Sequence, residues 1–292
     1  MMNSHTRIIP RLDIKGPNLV KGIHMEGLRV LGKPEQFASF YYNNGADELF
    51  YMDAVASLYG RNSLLEIINK TAQKIFIPLT VGGGLRNIDD IQAVLRAGAD
   101  KVSLNTEAIR RPELIEEASR KFGSSTIIIS IEAIRKDNGF YEAYTDYGRE
   151  STGIDACEWA IKAADSGAGE LVITSIDREG TGLGFDLELT KKISESVSIP
   201  VIASGGAGSY SHIYEVIHQG KADAVSVASV LHYNAIKHMQ YNSNEFSEEG
   251  NIEFLRQRSG FSKIKDATIS DIKKNLIKNN VKCRYQVPEN AK

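Results

Sequence analysis

Short apolar runs alternate with amphipathic stretches along nearly the whole chain. The runs are rich in valine, isoleucine and leucine, which is typical of strands buried on both faces of a parallel sheet. The stretches between them repeat apolar residues at the spacing of one helix face. The predicted strands span residues 7–13, 48–53, 76–81, 101–105, 126–132, 171–176, 201–204 and 224–228. The predicted helices span residues 34–44, 63–74, 88–97, 112–122, 155–166, 187–197, 211–219 and 270–278.

Eight strands and eight helices in strict alternation predict an α/β fold of the (β/α)8 type, the TIM barrel. A doubly wound open sheet is the alternative. Length alone does not separate one domain from two, and we predict a single barrel domain over residues 1–292. Two segments interrupt the alternation. Residues 14–32 are predicted to form a mobile lid, and a polar insertion at about 240–267 is predicted to lie on the surface before the last helix.

The two halves of the chain resemble each other. GADELFYMDAVAS from Gly45 parallels GAGELVITSIDREG from Gly167, and RIIPRLDIK from Arg7 parallels TIIISIEAI from Thr126. The glycine turn of PLTVGGG likewise recurs in PVIASGGAG. The repeated unit is longer than one repeat of a solenoid or one blade of a propeller. It predicts a barrel built from two similar half-barrels, with the carboxyl ends of all strands at one active face.

Carboxylates lie at the ends of the two strands that open the halves. Asp13 and Glu132 occupy corresponding positions, so we expect them to face each other across the barrel mouth. One can accept a proton while the other donates one, provided that their surroundings separate their pKa values. A single carboxylate at a strand end serves equally well as a helix cap, and the pairing favours catalysis. Asp53 and Glu179, also near strand ends, are auxiliary candidates.

The glycine turns are candidate anion sites, because consecutive glycines let backbone N–H groups approach a ligand near a helix N-terminus. Either turn alone is explained equally well by a tight strand-to-helix connection. Two copies together predict a long substrate with a phosphate at each end. The first cradle comprises Gly83, Gly84, Asn105 and Thr106, and the second comprises Gly180, Gly205, Gly206, Ala228 and Ser229.

Charges also occur at strand starts, where a parallel strand is expected to be apolar. A charge buried there without a partner is costly, so two basic and two acidic residues predict a closed ring of ion pairs at the bottom of the barrel. Each residue taken alone is explained by a solvated strand end. The four residues are Arg7, Glu48, Lys101 and Glu170.

Composition narrows the choice of partner. The chain is 42% hydrophobic and 25% charged with a formal net charge of -2, which gives no reason to expect a nucleic-acid or membrane surface. A small phosphorylated substrate held by local groups is expected instead. Cys157 and Cys283 lack the spacing of a zinc site, and we expect no metal and no cofactor. The start of the sequence lacks a long apolar segment, and we expect a cytoplasmic protein.

Seven stretches carry a family resemblance: RIIPRLDIK, LVKG, DELFYMDAVAS, PLTVGGG, GADKVSLNT, GAGELVITSIDREGT and PVIASGGAG. Together they resemble the cyclase subunit of imidazole glycerol phosphate synthase, the ammonia-using enzyme of histidine biosynthesis. The likeness covers about residues 7–236 and resumes near residue 269.

The resemblance implies a (β/α)8 barrel that receives ammonia from a glutaminase subunit docked at its N-terminal face. The barrel uses the ammonia on a bis-phosphorylated ribulosyl-aminoimidazole carboxamide. The products are imidazole glycerol phosphate and an aminoimidazole carboxamide ribotide. The acid/base carboxylates fall on Asp13 and Glu132, and the lysine of the first loop falls on Lys21. The phosphate contacts fall on Gly84, Asn105, Thr106, Gly180, Gly206, Ala228 and Ser229, and the ammonia gate on Arg7, Glu48, Lys101 and Glu170.

Four positions depart from the family pattern. Glu132 and Glu179 each replace an aspartate, Gly182 replaces a lysine, and Arg11 replaces a cysteine. An extra methylene moves a carboxylate by about 1 Å, and such a displacement can cost about 100-fold in rate unless the site has adjusted. Arg11 adds a charge to the site if it points into the barrel.

Two other functions stay open at this point. The first is a paralogue that relays glutamine-derived ammonia to an amidotransferase of surface-sugar biosynthesis, which the intact gate and the altered site residues would fit. The second is a phosphosugar isomerase of the same fold, which needs no gate. We favour the histidine-pathway cyclase, because Asp13, Lys21 and both cradles are retained.

Overall fold

Eight parallel strands form a closed barrel in the computed structural model, which describes residues 5–56, 64–239 and 263–285. The barrel strands are β1 (Arg7–Lys15), β4 (Leu49–Asp53), β5 (Leu79–Gly82), β6 (Lys101–Leu104), β7 (Ile127–Arg135), β10 (Glu170–Ser175), β11 (Val201–Ser204) and β12 (Ala224–Val227). They follow this order around the barrel, β7 pairs with β10, and β12 pairs with β1 to close it. The predicted (β/α)8 barrel is confirmed.

Helices follow the strands and pack outside the barrel. They are α1 (Pro34–Asn43), α2 (Leu65–Ala72), α3 (Ile88–Arg96), α4 (Thr106–Arg110), α5 (Glu113–Phe122), α6 (Ala156–Asp165), α7 (Leu187–Ser196), α8 (Tyr210–His218), α9 (Ser229–His238) and α10 (Ile269–Lys278). Side chains of Asn87, Asp155, Asp186 and Thr268 accept first-turn N–H groups and so fix where four of these helices begin. None of the helices in the described part of the chain is long and apolar enough to cross a membrane.

Side-chain alternation along the strands divides the core into two layers. On β1, Ile8 and Leu12 join the large cluster between the strands and the helices, whereas Ile9 joins a smaller cluster with Phe50 and Val172. Successive side chains of a strand point to opposite faces of the sheet, so the smaller cluster fills the barrel interior. The same parity directs every second residue of β1, from Arg7 to Asp13, into the lumen.

The two halves share a feature that the sequence analysis did not predict. Strands β1 and β7 are each nine residues long and continue into antiparallel hairpins above the barrel. The first hairpin pairs β2 (Asn18–Ile23) with β3 (Glu26–Gly32), and the second pairs β8 (Tyr141–Thr145) with β9 (Glu150–Asp155). The predicted lid at 14–32 is therefore a β-hairpin, and the second hairpin is its counterpart.

Other differences from the prediction are local. The third barrel strand begins at Leu79 rather than at residue 76, and the helices α4 and α9 were not predicted. Residues 240–262 of the polar insertion lie outside the described residues. Its last part is described, and Lys265 N donates a hydrogen bond to Gly208 O at 2.8 Å, beside the second glycine turn. The single-domain arrangement stays a prediction.

Candidate active site

The two candidate carboxylates lie on opposite sides of the barrel mouth. Asp13 is on β1 and Glu132 is on β7, and these strands are four positions apart in either direction around the eight-stranded barrel. Only 4% of Asp13 and 2% of Glu132 is exposed. The strand topology thus confirms the predicted opposition of the pair, while its chemical role stays a prediction.

Glu132 is surrounded by neutral donors. The Asn105 amide donates to Glu132 Oε2 at 3.1 Å, and the Gly148 backbone N–H also donates to the carboxyl group. Burial raises the pKa of Glu132 to about 7, although the nearby positive charge of Arg11 and these hydrogen bonds oppose the shift. A carboxyl group with this pKa can both donate and accept a proton near neutral pH.

Arg11 points into the barrel, so the charge considered from the sequence is present in the site. Its Nε donates to Asp13 Oδ1 at 2.9 Å, and both side chains are 5% exposed. Its Nη1 donates to Thr174 Oγ1 at 3.2 Å and to Ser204 Oγ at 3.4 Å. Burial disfavours the charged guanidinium, but Asp13, Tyr147 and Glu132 together outweigh this and hold the pKa of Arg11 above its ordinary value.

The residues of the first predicted cradle line one cleft, together with Glu132. Gly83 has a φ of 98°, and a Cβ there would lie 2.5 Å from Asp53 O. Only glycine therefore fits this turn, which leaves the 4% exposed Asp53 directly beneath it. The cradle residues in this cleft are Gly83, Gly84, Asn105 and Thr106.

The residues of the second predicted cradle share a smaller cavity. Arg11 and Glu179 also line it, so this cavity holds one basic and one acidic side chain. The second turn repeats the left-handed backbone of the first, with φ values of 85° at Gly205 and 105° at Gly206. The cradle residues here are Gly180, Gly205, Gly206, Ala228 and Ser229.

The first hairpin is fastened to the loop that carries Glu179. Lys21 Nζ donates to Glu179 Oε1 at 2.6 Å, and both side chains are buried. The backbone N–H of His24 donates to Glu179 O at 3.0 Å. Lys21 and Glu179, two of the predicted auxiliary residues, therefore form one ion pair that joins the hairpin to the second cradle.

The four charges at the strand starts form a closed ring at the bottom of the barrel. Arg7 contacts Glu48 and Glu170 at 2.7 Å each, and Lys101 contacts the same two carboxylates at 3.2 Å and 2.6 Å. Burial alone would raise the pKa of Glu170, but Arg7 and Lys101 outweigh it and hold that pKa below its usual value. The predicted ion-pair ring is present, and its role as a gate stays a prediction.

The turn of the second hairpin was not predicted from the sequence. Tyr147 and Gly148 reach over the barrel mouth, where Gly148 bonds to Glu132 and Tyr147 packs with Met25 of the first hairpin and with Ile176. The alternating run YEAYT followed by DYG was the available signal, since it is typical of a strand and a tight turn.

His232 follows the second cradle along the chain, near the start of α9. The side chain is fully buried, and Nδ1 lies 2.6 Å from the Tyr41 hydroxyl. Burial lowers the pKa of His232 to about 3, so the imidazole is neutral and packs the start of α9 against α1.

Comparison with known proteins agrees with this geometry. The family model described as histidine biosynthesis protein matches residues 7–237. The chain is 60% identical over 205 residues to imidazole glycerol phosphate synthase subunit HisF of Legionella pneumophila, covering 70% of the chain and 97% of that relative. It is 48% identical over 233 residues to the protein of the same name from Trichormus variabilis (strain ATCC 29413 / PCC 7937), covering 79% of the chain and 91% of that relative.

Proposed function

Because the chain belongs to the histidine biosynthesis protein family, we propose that it is the cyclase subunit of imidazole glycerol phosphate synthase. It combines ammonia with a bis-phosphorylated ribulosyl-aminoimidazole carboxamide. The products are imidazole glycerol phosphate and an aminoimidazole carboxamide ribotide, and the cleavage of the substrate places the enzyme among the lyases. Both relatives are named as subunits of this synthase, which disfavours the ammonia-relay paralogue and the isomerase.

The opposed pair Asp13 and Glu132 is the observation that carries the mechanism. Addition of ammonia to a carbonyl carbon, loss of water and ring closure each require a proton to be moved to or from the substrate. Two buried carboxylates on opposite walls reach the two faces of a substrate that lies across the barrel mouth. One accepts a proton from the attacking nitrogen while the other donates one to the departing oxygen.

Both ends of the substrate are held by the glycine turns. The cleft at Gly83 and the cavity at Gly205 lie at strand ends on different sides of the barrel, and each presents backbone N–H groups to a phosphate. Arg11, which lines the second cavity, supplies a positive charge there, and the ion pair of Lys21 with Glu179 fixes the loop beside it. Asp53 supports the first turn from below. The distance between the two cradles would then select a substrate of matching length.

Ammonia enters from the opposite end of the barrel. The ring of Arg7, Glu48, Lys101 and Glu170 lies at the N-terminal face, with each basic residue bonded to both acidic ones. A glutaminase subunit docked there would deliver ammonia to this ring, and opening it requires at least one ion pair to break. The two subunits would thus form a heterodimer with separate entrances for ammonia and for the sugar substrate. The cytoplasmic location of the protein stays a prediction.

Turnover with ammonium salts tests this function without a partner. The purified chain, given the bis-phosphorylated substrate and excess ammonium at a pH that supplies free ammonia, is expected to form both products. Asp13→Asn and Glu132→Gln are expected to lower kcat by about 100-fold or more each. No turnover by the parent chain, together with failure to rescue a histidine auxotroph that lacks the cyclase, would refute the proposal.

A further inference from the structure

Arg11 is one of the β1 residues whose side chains face the barrel interior, and it lies between the ion-pair ring below and Asp13 above. Because side chains alternate along a strand, Arg7, Ile9, Arg11 and Asp13 all face the lumen. Ile9 belongs to the interior apolar cluster, and the Arg11 guanidinium lies 5.7 Å from the ring centroid of Phe50 in that cluster. Arg11 is therefore the first charged group above the apolar layer.

The side chain of Arg11 crosses the lumen. It begins on β1 and donates to Thr174 on β10, three positions away around the eight-stranded barrel, and to Ser204 on β11. On its own strand it donates to Asp13. A guanidinium presents its donors in a rigid planar fork, so bonds in several directions fix its position. Through this fork the carboxylate on β1 is connected to β10 and β11.

The two candidate carboxylates consequently differ in their partners. Asp13 receives a charged hydrogen bond from Arg11, and such bonds are shorter and about twice as strong as neutral ones. Glu132 receives hydrogen bonds from Asn105 and from the backbone of Gly148, which are neutral donors. Within the described structure the pair is thus asymmetric in charge, although the sequence places its members at equivalent points of the two halves.

We propose that Arg11 is a positioning residue: its charged hydrogen bond holds Asp13 in place, and its charge sets the pH at which Glu132 exchanges a proton. The inference rests on the proposed function and assigns different tasks within the same site. Arg11 acts through Asp13 and through its field on Glu132. Its guanidinium also lines the second cavity, but the role proposed here is exerted on the two carboxylates.

Other titratable groups also lie near the pair. Asp53, Arg86, Glu107, Arg110 and Asp146 line the cleft of Glu132, and Arg110 and Asp146 form an ion pair at 2.9 Å. Tyr147 faces both carboxylates from the second hairpin, and burial, followed by the charge of Asp13, raises its pKa well above the ordinary value, so it is neutral. Lys21 and Glu179 approach from the first hairpin and the adjoining loop as a mutually paired unit. His232 approaches from α9 and is neutral at the pH of the reaction. Arg11 therefore remains the dominant cation for Asp13 and Glu132 among these groups.

Arg11→Met and Arg11→Lys separate the charge of Arg11 from its anchoring geometry. Arg11 lowers the pKa of Glu132, so removal of the charge in Arg11→Met raises that pKa above about 7. In a plot of kcat against pH, the limb that reports the ionisation of Glu132 should move to higher pH in Arg11→Met. The maximal kcat of this variant should fall by about 100-fold. Arg11→Lys keeps the charge but lacks the fork. In Arg11→Lys the pH limb that reports Glu132 should therefore stay near that of the parent, while kcat still falls by about 10-fold or more.

The measurement is ammonium-dependent turnover as a function of pH, at equal concentrations of free ammonia. Arg120→Met is the control, because Arg120 is an exposed arginine of α5 that pairs only locally with Glu116. Its profile should match the parent. If the pH limb that reports Glu132 is unchanged in Arg11→Met, the proposed effect of the Arg11 charge on Glu132 is overturned. A parental kcat in Arg11→Lys overturns the anchoring role, and this variant decides the question if Arg11→Met does not fold.

A titration without substrate keeps the two proposals distinguishable. The ¹³C resonance of the Glu132 carboxyl, assigned with Glu132→Gln, is followed by NMR in the parent and in Arg11→Met. If the midpoint of the Glu132 titration lies at higher pH in Arg11→Met than in the parent, the positioning role is supported, even if the parent shows no turnover. A lack of turnover would count against the proposed function alone. Identical midpoints overturn the inference whatever the activity.

Discussion

At the scale of single residues, Glu132 provides a stability test that needs no substrate. Its pKa is raised by burial from 4.5 to about 7, so the folded protein binds this proton more tightly than the unfolded chain does. The corresponding stability is fully present below pH 4.5 and is lost as the pH rises through about 7. Glu132→Gln stays neutral. As the pH rises from 4.5 to about 7, the free energy of unfolding of Glu132→Gln should therefore increase relative to that of the parent by up to about 3 kcal/mol.

Urea denaturation at several pH values measures this difference, and Glu142 offers a control of opposite sign. Hydrogen bonds from Lys136 and Ser151 lower the pKa of Glu142 to about 2. The stability that Glu142 contributes is therefore present above pH 4.5 and is lost as the pH falls towards about 2. Glu142→Gln should be destabilised at neutral pH and should approach the parent in acid. A Glu132→Gln difference that does not vary with pH would contradict the raised pKa.

At the scale of elements, the first hairpin rests on a glycine of the loop after β10. Gly180 has a φ of +73°, and a Cβ there would lie 2.6 Å from Gly22 O of the hairpin. Gly180→Ala should push the hairpin away from the second cradle. We expect kcat/KM to fall by about 10-fold to 100-fold and amide hydrogen exchange in β2 to accelerate, since a 1 Å displacement is enough for such losses.

Gly153→Ala isolates the backbone strain of that change. Gly153 has a nearly equal φ of +72°, but an added Cβ would meet nothing within 4 Å. Both variants place alanine in a left-handed conformation, at a cost of about 1 kcal/mol each. Only Gly180→Ala displaces a neighbouring backbone. If both variants lose activity equally, strain rather than the hairpin contact is responsible.

The elements also show what the sequence could and could not predict. The barrel strands follow from apolar runs between amphipathic stretches, and the opposition of Asp13 and Glu132 follows from the repeat. The bonds from Arg11 to Thr174 and Ser204 join residues 163 and 193 positions apart in the chain. Such contacts depend on how the sheet closes, which local patterns do not encode. The hairpins were missed because each begins as a direct continuation of a predicted strand.

The whole molecule is layered along the barrel axis. The ion-pair ring occupies the amino ends of the strands, an apolar layer follows, and Arg11 lies below the carboxylates and the two hairpins at the carboxyl ends. The ends of the barrel therefore have different chemistry. The upper end presents glycine turns suited to anions, whereas the lower end presents a balanced set of charges with an exposed aromatic side chain beside it.

That aromatic side chain is Phe76, which is 83% exposed and contacts Tyr42 with a ring separation of 6.1 Å. It borders a cleft that Asp100 also lines, and Asp100 immediately precedes Lys101 of the ring. Aromatic anchors at such positions often dominate a protein interface. Phe76→Asp should weaken assembly with the glutaminase subunit by about 30-fold or more and reduce glutamine-dependent turnover in parallel. Ammonium-dependent turnover should not change.

Calorimetric titration with the glutaminase subunit measures the affinity, and Ile161→Asp is the matched control. Ile161 is 42% exposed on α6, which packs on the side of the barrel rather than at the end that carries the ring. The same apolar-to-acidic change there should leave both affinity and turnover at parental values. Undiminished binding by Phe76→Asp would place the glutaminase elsewhere on the barrel. Ammonia would then have to reach Asp13 by a route that does not begin at the ring of Arg7, Glu48, Lys101 and Glu170.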